Sequence, residues 1–192
     1  MAQLDQVKEL RDQTGVSIMQ CKKALEEAGG DTEKALVLLR KSSSAIAAKK
    51  ADRELGAGVV ESYIHANKQV GTIVVLSCET DFVAKNEEFV ALARDIAMHI
   101  TASAPQFKHR NEVTDADTRA AEEVFRKEIA GKPADMQEKI LQGKLDSFLS
   151  DKVLLEQAFI KDESRTIGGL IEEATQKFGE RIEISSYCRY AI

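Results

Sequence analysis

The spacing of apolar residues changes period once along this chain, near residue 56, and a chain that does this has to build two kinds of layer. Up to residue 40 apolar positions recur every three or four residues, as on one face of a helix; from Gly58 they fall into the short β-branched runs of strands. In the first part, Leu4, Val7 and Leu10 outline a helix ending at Thr14-Gly15. Ser17 caps a second that runs through Ile18, Cys21, Ala24 and Leu25 to the Gly29-Gly30 pair, and Asp31 caps a third with Ala35, Leu36, Leu38 and Leu39 inward. Three helices in about 40 residues make a bundle with a small core and marginal stability.

Residues 42–56, SSSAIAAKKADRELG, carry little periodic apolar content and read as a flexible or loosely helical linker. The expected partition is therefore a three-helix module over 1–44, a linker over 45–56 and a second domain over 57–192. That domain opens with two strands, 58–65 and 70–78, joined by the polar turn at Asn67-Lys68 as an antiparallel hairpin. Helices follow over about 86–102, 114–130 and 134–147, with a further one from Thr166 to about Lys177. The segment 181–192 alternates as a last strand, with Ile182, Ile184, Ser186, Cys188 and Tyr190 expected on one face and Glu183, Ser185, Tyr187 and Arg189 on the other. The fold class is α+β, with a small antiparallel sheet.

Composition excludes several functions. The 192 residues carry a net charge of −5, with +1 over residues 1–56 and −6 over the rest, and only Arg40–Arg53 is locally basic. Such a chain is a poor direct nucleic-acid binder, because phosphate contacts need clustered Lys and Arg. No apolar run reaches the roughly 20 residues of a membrane helix, and the acidic start MAQLDQVKEL lacks the features of a signal peptide, so a cytoplasmic protein without a membrane partner is expected. Cys21, Cys78 and Cys188 are an odd number without CxxC spacing, which writes neither a disulfide framework nor a zinc ribbon. Each falls on an expected apolar face.

Catalysis has no visible constellation. The glycine pairs 29–30 and 168–169 lack phosphate-loop spacing and read as helix punctuation, while His65, His99 and His109 are far apart and read as surface or half-buried. No enzyme, cofactor or metal site is expected. One segment stands out: Cys78-Glu-Thr-Asp-Phe-Val-Ala-Lys-Asn-Glu-Glu-Phe89 follows the second strand directly, so Thr80-Asp81 caps a helical turn and Phe82 opens it at a strand-to-helix corner. Spacing alone leaves two roles for Phe82, one as a core anchor and one as a presented ring.

The string Thr80-Asp-Phe-Val-Ala-Lys-Asn86, preceded by Val7-Lys-Glu-Leu-Arg11, Thr14-Gly15 and Cys21-Lys-Lys-Ala-Leu25, closely resembles bacterial translation elongation factor Ts. Ala97-Met-His-Ile100, Ser103-Ala-Pro105 and Thr166-Ile-Gly168 resemble later elements of that family, and the length matches its short, single-core form. The resemblance implies a guanine-nucleotide exchange factor that binds the GTPase elongation factor Tu and has no catalytic site of its own. It also implies an N-terminal module similar to ubiquitin-associated domains.

On that resemblance, Phe82 is expected to wedge into the GTPase and disturb its Mg²⁺ site. Asp81 lies beside the ring, and Thr80 and Val83 complete the patch. The family's N-terminal binding patch maps to Arg11, Val16, Ile18 and Met19. A homodimer in which the sheets of two chains join through the terminal strand, at Tyr187, Cys188 and Tyr190, is also expected, since an open strand edge invites pairing. The alternative is an adaptor with a ubiquitin-associated-like module and no exchange activity.

Overall fold

The computed structural model describes residues 2–192, with side chains from Leu4 onward. Its contacts form two compact units, one holding the chain up to Thr101 together with Gly169–Ile192, the other Ala102–Gly168.

The first unit begins with α1 (Ala2–Thr14), α2 (Ile18–Glu27) and α3 (Thr32–Lys50). Both expected caps form: Ser17 Oγ accepts the Gln20 N–H at 3.4 Å and Asp31 Oδ1 accepts the Lys34 N–H at 3.0 Å. Val7, Leu10, Val16, Cys21, Ala24, Leu25, Ala35 and Leu39 close the bundle core. Leu4 does not join it and is exposed.

The stretch read as a linker is helical as far as Lys50, and its serines explain why. Gln176 Nε2 donates to Ser42 Oγ at 3.1 Å, Ser43 Oγ hydrogen-bonds Gln176 Oε1, and Ser44 Oγ donates to Glu172 Oε1 at 3.2 Å. Ser43 and Gln176 are both buried. A polar packing face gives no apolar period, so periodicity could not find it.

The sheet has the order β1 (Ala57–Ile64), β2 (Val70–Cys78), β5 (Glu183–Ala191), antiparallel throughout. β2 buries Thr72, Val74, Leu76 and Cys78 on one face, and Thr101 of α5 (Glu87–Ser103) donates from its hydroxyl to that of Thr72 at 2.9 Å. Phe89 of α5 meets Phe178 of α8 (Ile167–Phe178) edge to face, with ring centroids 6.0 Å apart.

Strand β5 corrects the expected alternation. Val75 pairs with Ser186 and Leu76 with Ile184, so Ser185 is an extra residue at a bulge and every side chain after it changes face. Ile182 and Ile184 are buried, but Ser186, Cys188 and Tyr190 point to the open face, whereas Arg189 turns inward and donates from Nε to the Thr101 carbonyl at 3.1 Å. Cys188 is therefore exposed, while Cys21 and Cys78 are buried as expected. His99 is fully buried in α5 rather than at the surface.

In the second unit α6 (Asp115–Ile129) and α7 (Ala134–Ser150) form a helical hairpin, with Phe125 edge-on to Phe148 and Lys144 paired to Glu128 at 2.7 Å. The short strands β3 (Ala158–Phe159) and β4 (Asp162–Thr166) pair antiparallel with each other. Gly168 does not end a helix; it lies in the first turn of α8, where a β-carbon would come within 2.8 Å of the Leu155 carbonyl.

Candidate functional site

Strand β2 ends at Cys78, and after two residues the chain enters α4 (Asp81–Ala84), which packs against β1 and β2. Two carboxylates hold this corner. The N–H groups of Glu79 and Thr80 donate to Glu180 Oε2 at 3.1 and 3.0 Å, and Thr80 Oγ1 donates to Oε1 at 2.6 Å. Glu79 returns the contact: its Oε1 accepts the Arg181 N–H at 2.6 Å, and Arg53 Nη1 donates to both its oxygens at 3.2 Å. The Arg181 N–H, with Arg53 beyond it, keeps the Glu79 carboxyl below the ordinary carboxylate range. Thr80 occupies the N-cap position of α4, but its hydroxyl serves Glu180 instead of capping the helix.

The consequence is a rigid base under an open tip. Val83 is buried against the sheet side, and the adjacent Phe82, about 100° further round the helix, is 84% exposed. Asp81 is exposed and pairs with Lys85 at 2.6 Å, whose hydrogen bond lowers its pKa. Of the two roles open for Phe82, the structure gives the presented ring.

The N-terminal patch is built differently. Gly15 adopts φ +66°, which glycine allows at no steric cost, and donates its N–H to the Arg11 carbonyl at 2.7 Å. Thr14 Oγ1 donates to Leu10 O at 2.6 Å and accepts the Val16 N–H at 3.3 Å. Val16, at 3% exposure, belongs to the core and supports the turn from within. Ile18 at 53% and Met19 at 76% stand outside it, and Arg11 is exposed. Of the terminal-strand residues, Cys188 and Tyr190 share the open face of the sheet with Val60, Ile64 and Ile73, and Tyr187 lies on the other face, half-buried.

Reading the sequence missed Glu79, Glu180 and Arg181 as corner residues. Their contacts span about a hundred residues, and the local signal was only Gly179, φ +72°, which turns the chain out of α8. Among the described residues no group of three or more His, Cys, Asp or Glu side chains could hold a metal ion, and no helix is long and apolar enough to cross a membrane.

The sequence model of the family described as Elongation factor TS matches residues 37–192. The chain belongs to the elongation factor Ts family. It is 47% identical to Elongation factor Ts of Thermosipho melanesiensis over 188 residues, covering 97% of this chain and 96% of that one. To those of Desulforamulus reducens and Geobacter metallireducens it is again 47% identical, over 96% and 97% of this chain and 86% and 88% of theirs. Residues 1–36, which the family model leaves out, fall largely within these alignments, so the Gly15 turn belongs to the likeness as the Phe82 corner does. Membership makes this a translation elongation factor.

Proposed function

We propose that the chain is a guanine-nucleotide exchange factor for the GTPase elongation factor Tu, acting by binding and with no reacting group of its own. The observation that carries this is the exposed Phe82 ring on a corner fixed by Glu79 and Glu180. A ring that gives up its burial in this chain, on a base that cannot yield, is suited to entering another protein's apolar slot. Thr80, Asp81 and Val83 shape and hold the wedge, and Arg11, Ile18 and Met19 of the 1–44 module grip the nucleotide-holding domain, with Val16 beneath them.

Exchange by binding needs greater affinity for the nucleotide-free GTPase than for its GDP complex. The coupling is reciprocal: the factor weakens GDP as much as GDP weakens the factor. A thousandfold faster release requires about 4 kcal/mol of barrier lowering, and burying one phenylalanine supplies about 1.5–3 kcal/mol. The ring is therefore a lever on the Mg²⁺ and phosphate contacts of the GTPase, whose loss supplies the remainder.

The functional unit is proposed as a cytoplasmic homodimer, with no direct nucleic-acid or membrane partner. The open sheet face carries exposed Val60, Ile64, Ile73 and Tyr190, and β1 and β5 are the edge strands of the sheet. Light scattering at high micromolar concentration reads the dimer, and a monomer there rules it out. The exchange reading is tested by mixing the chain with elongation factor Tu loaded with fluorescent GDP: release accelerates with rising chain concentration, and release at the spontaneous rate contradicts it. An adaptor without exchange activity would give that second result.

A further inference from the structure

One short stretch of chain holds both proposed contact patches. Along α8, Glu172, Glu173 and Gln176 engage α3: Ser44 Oγ donates to Glu172 at 3.2 Å, Arg40 pairs with Glu173 at 3.6 Å, and Gln176 meets Ser42 and Ser43. The next residue, Lys177, lies over the turn between α1 and α2. A β-carbon on Gly15 would come within 2.6 Å of Lys177 Cε and 2.7 Å of Cδ. Its Nζ continues to Glu88 Oε2, 2.8 Å away in the first turn of α5, a few residues beyond the Phe82 corner. Lys50 Nζ donates to the Gly179 carbonyl at 2.7 Å, and then Glu180 and Arg181 take hold of Glu79 and Thr80.

Residues 172–177 therefore fasten the bundle and residues 180–181 fasten the corner, with one turn of backbone between them. The attachments to the bundle are mostly polar, and two of the side chains, Ser43 and Gln176, are buried, so the seat is satisfied only in one register. Glycine is favoured at position 15 by its positive φ, and the end of the Lys177 side chain lies where a β-carbon there would point.

We propose that residues 172–181 are a spacer that fixes the distance and orientation between the Met19 and Phe82 patches, with Gln176 and Lys177 as its positioning residues. This rests on the exchange reading for its consequence but not for its geometry. Two patches held at a set separation engage one partner as a single event, while the same patches on a loose tether engage it as two, at a lower effective concentration. Lys177 and Gln176 act through what they hold.

The test uses the full chain in a Cys188→Ser background, spin-labelled at Lys23→Cys in α2 and Ala66→Cys in the hairpin turn, both exposed positions. The parent is expected to give one narrow interlabel distance and the Q176L/K177M double variant a broad one, both measured well below the variant's melting temperature. In the exchange assay the same double variant is expected to lose about tenfold in release at limiting concentration. A specific signature separates positioning from general damage. Met19→Ala is expected to cost about tenfold in the parent but only about twofold in the loosened variant, while Phe82→Ala costs the same in both.

Lys177→Arg, which keeps stem and charge, is expected to restore the narrow distance and the full Met19 effect. An unchanged distance distribution in Q176L/K177M, or a broadened one with undiminished exchange and an undiminished Met19 effect, overturns the proposal. If neither Met19→Ala nor Phe82→Ala alters release in the parent, the exchange reading fails instead, and the distance measurement still decides whether the spacer holds the bundle. Should Q176L/K177M not fold, single Gln176→Leu, which removes the hydrogen bonds to Ser42 and Ser43 and leaves Lys177 in place, takes its place with the same two readouts.

Discussion

The Phe82 corner and the Gly15 turn each present an apolar side chain beside a buried neighbour, Phe82 next to Val83 and Met19 near Val16, yet they rest on different physics. The turn is fixed by core packing that its own three helices supply. The corner is fixed by charge-assisted hydrogen bonds that reach it from the far end of the sequence and by the Arg53–Glu79 ion pair. Small bundles can build a stiff tip from local contacts because every residue of the turn is within one helix of the core. A four-residue helix such as α4 has too little core of its own and borrows rigidity from carboxylates. In both places buried groups form the base and an exposed apolar side chain forms the tip.

That division can be attacked in order of expected effect. Leu25→Ala opens a cavity in the bundle and is expected to cost about 3 kcal/mol, with amide exchange accelerating across α1–α3 ahead of the sheet; uniform acceleration throughout the unit would show that the bundle has no separate stability. Glu180→Ala removes the acceptor of three hydrogen bonds at the corner. About 2 kcal/mol is expected, read as loss of amide protection at Glu79 and Thr80, and unaltered protection there would mean that the corner is held without Glu180.

Glu79→Gln keeps the shape and removes the charge, for about 1 kcal/mol given its partly exposed setting. The same group gives a pH dependence. Its folded-state pKa lies below the ordinary carboxylate value, so its contribution is present at neutral pH, where folded and unfolded forms are both ionised. That contribution fades as the pH falls through the ordinary carboxylate range and down to the folded pKa. Urea midpoints measured from pH 7 to pH 3 should fall less steeply in Glu79→Gln than in the parent, and parallel curves would remove Glu79 from the account. The smallest effects belong to the tips. Phe82→Ala and Met19→Ala are expected to change stability by less than about 0.5 kcal/mol, because both side chains already face water.

Much of this was legible in the residues. Ser17, Asp31 and the Gly29-Gly30 pair write helix ends because caps act within a few positions, and β1 and β2 are written by β-branched runs on either side of a polar turn. The corner itself was visible in Thr80-Asp81-Phe82. What holds it was not, since Glu180 and Arg181 meet Glu79 and Thr80 only once α8 and β5 are in place. The helical course of residues 42–50 hid behind a serine-alanine composition whose serines, Ser42–Ser44, pack through hydroxyls, and the bulge at Ser185 reversed an alternation that looked regular in one dimension. The exposed side of the Phe82 ring was undecidable from spacing, because a core anchor and a presented ring occupy the same position in such a corner.

The central claim is that this ring works on another molecule and not on its own fold. Stopped-flow release of fluorescent GDP from elongation factor Tu, with parent and Phe82→Ala chains of equal melting temperature, tests it most directly. The account predicts release slowed by about tenfold or more in the variant, since at least 1.5 kcal/mol of burial in the partner is lost. Equal release by the two chains would contradict it.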